Sequence, residues 1–102
     1  MPDAIDRKHF EAATFGDRAL QREILGLFDT QAEKLAGVIR NASGRERAEA
    51  AHTLKGTARS IGAFALADAA EKVEQGDAGT VDELARLAAE ARAAAALLLA
   101  QS

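Results

Sequence analysis

The chain has no cysteine, which removes disulfide frameworks, thiolate zinc sites and cysteine nucleophiles together. Its one proline stands at position 2, and valine, isoleucine and threonine together number 12 against 26 alanines and 11 leucines. A β-sandwich or barrel wants β-branched strands and many turn residues, so this balance favours helix. Long hydrophobic runs are missing too. The longest, Ala93 to Ala100, spans eight residues, far short of the roughly 20 that cross a bilayer. The amino terminus, MPDAIDRKHF, has no apolar stretch that would serve as a signal peptide. With a net charge of −3, a nucleic-acid partner has no global electrostatic support.

What is present fits one domain over residues 1–102. Charged residues make up 28% and apolar residues 48%, a globular ratio that argues against wholesale disorder. The reading is a small, all-α, cytoplasmic protein, and Met1 at the first position favours a free-standing one.

Periodicity and end signals divide the chain into helices. A short first helix is expected over 6–13, with Phe10 as its main apolar residue. A long second helix is expected over 17–40, where Leu20, Ile24, Leu27, Phe28, Leu35, Val38 and Ile39 follow the spacing of one buried stripe. The segment Asn41-Ala-Ser-Gly44 breaks it, and Ser43 with Glu46 has the spacing of a capping box. The third helix then runs to Ile61, the fourth from Ala63 to Gln75, and the last from the Thr80–Glu83 pair to Ala100. Short connections make neighbours antiparallel, so the expected architecture is an up-down four-helix bundle with a short extra N-terminal helix.

The third helix carries the chemistry. At about 100° per residue, Ala51, Leu54, Ala58 and Ile61 gather on a core face. His52, Lys55, Gly56 and Arg59 gather on a face turned mostly away from it. Between 52 and 59 there are two cations and no acid. Gly56 resists a bland explanation, because a mid-helix glycine costs about 1 kcal/mol relative to alanine. Helical side chains lean toward the amino terminus, so a side chain at 56 would cover His52. Its removal leaves room for something bulky to approach the ring.

An imidazole is mostly unprotonated at pH 7 and can attack phosphorus without a separate base. Phosphoryl transfer needs in-line positioning and cations for the charge on the phosphoryl oxygens. Lys55, one turn along, is placed for the second task. The first wants the ring held in one tautomer by a partner on its other nitrogen. If the chain reverses at Gly62-Ala63, His52 and Glu74 lie at equal height on neighbouring helices. The Glu74 carboxylate is then a candidate acceptor for the imidazole N–H, or is simply solvated.

The run Ala51-His-Thr-Leu-Lys-Gly-Thr-Ala-Arg-Ser-Ile-Gly-Ala63, followed by Leu66 and Val73-Glu74, strongly resembles the histidine-containing phosphotransfer (HPt) domain family. The dense motif runs from Ala51 to Glu74, and the helix lengths and loop order around it fit the family over nearly the whole chain. The resemblance implies a four-helix bundle that carries a phosphoryl group on one histidine between response-regulator receiver domains, including those of hybrid histidine kinases. It implies that His52 is phosphorylated through Nε2, that Lys55 stabilises the phosphoryl group, that Gly56 admits the receiver and that Glu74 holds the ring. Position 59 is often small or polar in the family, so Arg59 is read as a docking contact. Ala48 on the same face is another. Gln31 lies at the margin of the core or reaches the site.

No G-x-x-x-x-G-K-[ST] or G-x-G-x-x-G occurs, so no nucleotide cradle is expected and the domain should not phosphorylate itself from ATP. It is expected to be a carrier, not an enzyme, without cofactor or metal of its own. Magnesium is expected only in the receiver. Monomer is the expected state, although the alanine- and leucine-rich last helix leaves dimerisation open. Three other readings compete. Glu49-Ala-Ala-His52 has the E-x-x-H spacing of a di-metal carboxylate bundle, for which Asp6 and His9 would be the second unit. A scaffolding bundle without phosphotransfer is another. A sensor-kinase dimerisation domain is the third, but Thr53 and the proline-free third helix do not fit its usual pattern.

Overall fold

The computed structural model describes residues 4–101. Met1 and the proline at position 2, like the last residue of the chain-wide domain reading, lie outside the described residues. Five α-helices are present among those described, with no strand: α1 (Arg7–Ala13), α2 (Arg18–Asn41), α3 (Gly44–Ser60), α4 (Phe64–Glu74) and α5 (Val81–Gln101). A single 3-10 turn at Ala78–Thr80 leads into α5. The architecture is a helical bundle with a short extra helix at its start. α2 packs on α3 and α5, and α4 packs on the same two, which closes a four-helix ring.

Side-chain pairs give the directions. Arg47 Nε donates to the Ile39 carbonyl at 2.8 Å, while farther along α3 the Thr57 hydroxyl meets Gln31 Oε1 at 3.3 Å. As one number rises the other falls, so α2 and α3 run antiparallel. His52–Glu74 and Arg59–Glu71 give the same result for α3 and α4.

Helix ends follow local chemistry. Asp6 and Asp17 each accept a backbone N–H three residues on, from His9 at 3.0 Å and Leu20 at 3.1 Å, as N-caps should. Neither expected capping box forms that way. Ser43 makes no side-chain cap bond, and Gly44 immediately after it sits at φ +59°, a conformation that turns the first amides of α3 out of line with the hydroxyl. At the last helix the 3-10 turn intervenes. There Asp77, not Thr80, provides the cap, accepting from Gly79 N–H at 3.0 Å.

The core is built from alanine and branched aliphatics, including Leu25, Ala32, Ile39, Leu54, Ala58, Leu66 and Leu84, together with Phe10 and Phe28. One leucine expected on the buried stripe, Leu27, is 55% exposed instead, and Leu97 of the last helix is exposed too. Leu27 stands about 100° from Phe28 on the helix and falls off the stripe, whose interior member is Leu25. The helices are also unequal, with α4 only 11 residues against 24 in α2. This shortness places the last residue of α4, Glu74, level with the middle of α3.

Gly62 fixes that register. It turns α3 into α4 at φ +81°, and its carbonyl accepts the Asp6 N–H at 2.9 Å. A Cβ there would lie 2.9 Å from the Asp6 carbonyl oxygen. Both the left-handed backbone and the close approach require glycine.

Candidate functional site

His52 projects from the middle of α3, opposite a face that is fully buried at Ala51, Leu54 and Ala58. Its side chain is 67% exposed. Nδ1 lies 2.8 Å from Glu74 Oε2, across the α3–α4 seam. An ionised carboxylate only accepts, so Nδ1 carries the proton and donates it. In the neutral ring, Nε2 then holds a free lone pair on the exposed side.

Glu74 has a second partner. Lys55 Nζ donates to Oε1 at 2.6 Å, with the Lys55 side chain only 16% exposed. One carboxylate therefore spans the imidazole and the ammonium. The Lys55 hydrogen bond is the main cause that lowers the Glu74 pKa from its ordinary value; partial burial opposes it, and His52 adds to the lowering. The carboxylate stays ionised and able to accept at neutral pH.

The two cations that the third helix carries without an acid between 52 and 59 find acids on α4. Lys55 meets Glu74, and Arg59 meets Glu71 at 3.9 Å, half-exposed on both sides. The two acids come from α4, on the same face one turn apart, and a wheel drawn for α3 could not contain them. Arg59 borders the site but is held toward α4. Gln31 is exposed, and its Oε1 accepts the Thr57 hydroxyl at 3.3 Å.

Gly56 is exposed, and a Cβ built on it would meet nothing within 4 Å. No internal packing calls for a glycine there. The helix forgoes about 1 kcal/mol of propensity for a clearance that no described residue fills within 4 Å of that Cβ.

On the N-terminal side of the ring lies a shallow depression of about 470 Å³, lined by Arg45, Ala48, Glu49, His52, Thr53 and Glu74. Ala48 is half-buried in it, an apolar residue beside the imidazole. Arg45 and Glu49 are site residues the sequence reading did not assign to this chemistry. Their i,i+4 spacing from one another, with Arg45 seven and Glu49 three residues before His52, was the available signal. Glu49, the proposed metal ligand, is paired with Arg45 at 3.1 Å. His9 stacks edge-on against Phe64 at 5.0 Å, and Asp6 caps α1. The two halves of the supposed di-metal unit are thus in different places and differently engaged, and no group of three or more metal-ligating side chains converges among the described residues.

Taken together, the site offers a nucleophilic nitrogen on a fixed ring, a carboxylate behind it, a cation one turn away and a cleared approach. Such a set suits transfer of a group to and from nitrogen at the protein surface, with a large second molecule delivering it. No described helix is long and apolar enough to cross a membrane. In comparison with known proteins, the Hpt domain family model fits residues 18–100. No curated protein and no solved structure matches the chain.

Proposed function

Since the chain belongs to the Hpt domain family, whose role is histidine phosphotransfer in two-component systems, we propose that it is a phosphorelay intermediate in which His52 takes a phosphoryl group from a receiver-domain aspartyl phosphate and passes it to another receiver. The observation that supports this is the 2.8 Å contact between His52 Nδ1 and Glu74 Oε2, which favours the tautomer with the proton on Nδ1 and a bare Nε2.

In the transfer, the Nε2 lone pair attacks phosphorus in line. The N–P bond forms as the acyl P–O bond breaks, and the receiver aspartate leaves as a carboxylate. The proton on Nδ1 stays in place. The ring thereby gains positive charge facing the Glu74 carboxylate, which stabilises it while keeping the imidazole a good leaving group for the reverse step. Lys55 stabilises the phosphoryl oxygens by exchanging Glu74 Oε1 for them. Gly56 provides the clearance for the receiver, with Ala48 and Arg59 at the edges of the contact.

The chain acts as a carrier. Magnesium and its acidic ligands belong to the receiver, and no cofactor is assigned to this chain. It works as a cytoplasmic monomer, in a modest and transient interface. The test is incubation with a radiolabelled phosphorylated receiver domain. Label should move to this protein as an acid-labile, alkali-stable adduct, and His52→Gln should abolish it with helicity intact. Label that persists in that variant would overturn the assignment.

A further inference from the structure

Resting on that phosphotransfer reading, we infer that Arg45 is a second cation for the phosphoryl group, held in reserve by Glu49 until His52 is phosphorylated. Three observations lead there. The first is placement. Arg45, Ala48, Glu49 and His52 line one depression, and their spacing puts them on one stripe of α3. A histidine side chain leans toward the amino terminus of its helix, so Nε2 and anything bound to it overhang this depression. An arginine would lean the same way, away from His52. The bond from Arg45 Nε to Glu49 Oε1 at 3.1 Å instead draws the guanidinium back along α3 toward the ring.

The second is availability. Lys55 is only 16% exposed and already bound to Glu74 at 2.6 Å. Arg45 is 92% exposed and its partner 68%. A pair so open to water is worth about 0–1 kcal/mol, so a phosphoryl dianion, with more charge and more acceptor oxygens than a carboxylate, displaces Glu49 easily. A planar guanidinium also matches two phosphoryl oxygens at once.

The third is charge. Glu49 stands one turn from His52 on the side where the phosphoryl group sits, a repulsive placement if bare. Arg45 neutralises it before transfer. After transfer, Arg45 faces the phosphoryl group, and Ala48 between them leaves its path clear. Arg45 is thus a phosphoryl-binding residue whose partner changes with the phosphorylation state.

The test uses the whole chain and phosphoramidate, a small-molecule donor that removes receiver docking from the measurement. Labelling of His52 should slow by about three- to five-fold in Arg45→Ala, and Arg45→Lys should recover part of the loss. Glu49→Gln, which frees Arg45 and removes an anion, should speed labelling by a similar factor. Phosphorus NMR gives the readout that a structural role would not move. The phosphoryl group, surrounded by Arg45, Glu49 and Lys55 of α3 and Glu74 of α4, should titrate at higher pH in Arg45→Ala. Equal rates and equal titrations in wild type and Arg45→Ala would overturn the inference and leave the phosphotransfer reading standing. So would a fall in thermal stability alone. Failure of the wild type to label at His52 would overturn both.

Discussion

The chain has two histidines, both exposed and both three residues after an acid, yet their surroundings have little in common. His9 sits on the seven-residue α1, its backbone N–H on the Asp6 carboxylate and its ring edge-on to Phe64 at 5.0 Å. Three and four residues on are Ala12 and Ala13. His52 has Lys55 and Gly56 at those positions, and the carboxylate on its ring comes from another helix, Glu74 of α4. At His9 the acid serves the helix backbone. At His52 it serves the imidazole nitrogen. Exposure alone does not equip a histidine as a nucleophile; the role proposed for His52 rests on the carboxylate at its ring, the nearby cation and the cleared approach.

Exchanging features between the two regions breaks or sharpens that contrast. The largest effect is expected from His52→Gln, which should reduce phosphoryl uptake from a receiver to background, while His9→Gln leaves it unchanged. Next, Gly56→Leu should lower the receiver transfer rate by more than about ten-fold even as helix propensity improves by up to about 1 kcal/mol. Ala13→Leu, at the matching position after His9, should leave transfer alone. Removing the ring's partner by Glu74→Ala should slow transfer by about ten-fold, with Glu74→Gln retaining more because an amide oxygen still accepts the Nδ1 proton. Lys55→Ala should slow it several-fold, on the order of one lost charge-assisted contact.

The smallest effect is on stability against pH. A carboxyl whose pKa is lowered on folding adds stability that is fully present above its unfolded pKa. That contribution disappears as pH falls through the folded value. Lys55 and His52 lower Glu74 in this way, so denaturant melts of Glu74→Gln should show a shallower acid limb than the wild type, and the two should run parallel above the ordinary glutamate range. An unchanged acid limb would separate Glu74 from its partners.

Much of the site could be read without coordinates because it depends on short-range geometry. The i,i+3 and i,i+4 spacing placed His52, Lys55 and Gly56 on one face, and equal distance from the turn at Gly62 put Glu74 opposite His52. The reading failed where two elements meet. Glu71 and Glu74 neutralise Arg59 and Lys55 from α4, which a wheel of α3 cannot contain. Leu27 was placed in the core because apolar spacing admits both it and Leu25, and only the folded bundle buries Leu25 and leaves Leu27 exposed. The Ser43 cap failed because Gly44 takes a left-handed backbone that a sequence pattern does not reveal. Arg45 went unassigned because its direction is set by Glu49, and its helix position alone aims it elsewhere.

The central claim is that Glu74 fixes the His52 proton on Nδ1 and leaves Nε2 as the nucleophile. Nitrogen–proton correlation NMR of the His52 ring near neutral pH tests it directly. The account predicts a protonated Nδ1 and a bare Nε2 in the neutral ring, lost in Glu74→Ala, and phosphorus attached at Nε2 after labelling. A proton on Nε2 in the wild type, or phosphorus on Nδ1, would contradict it.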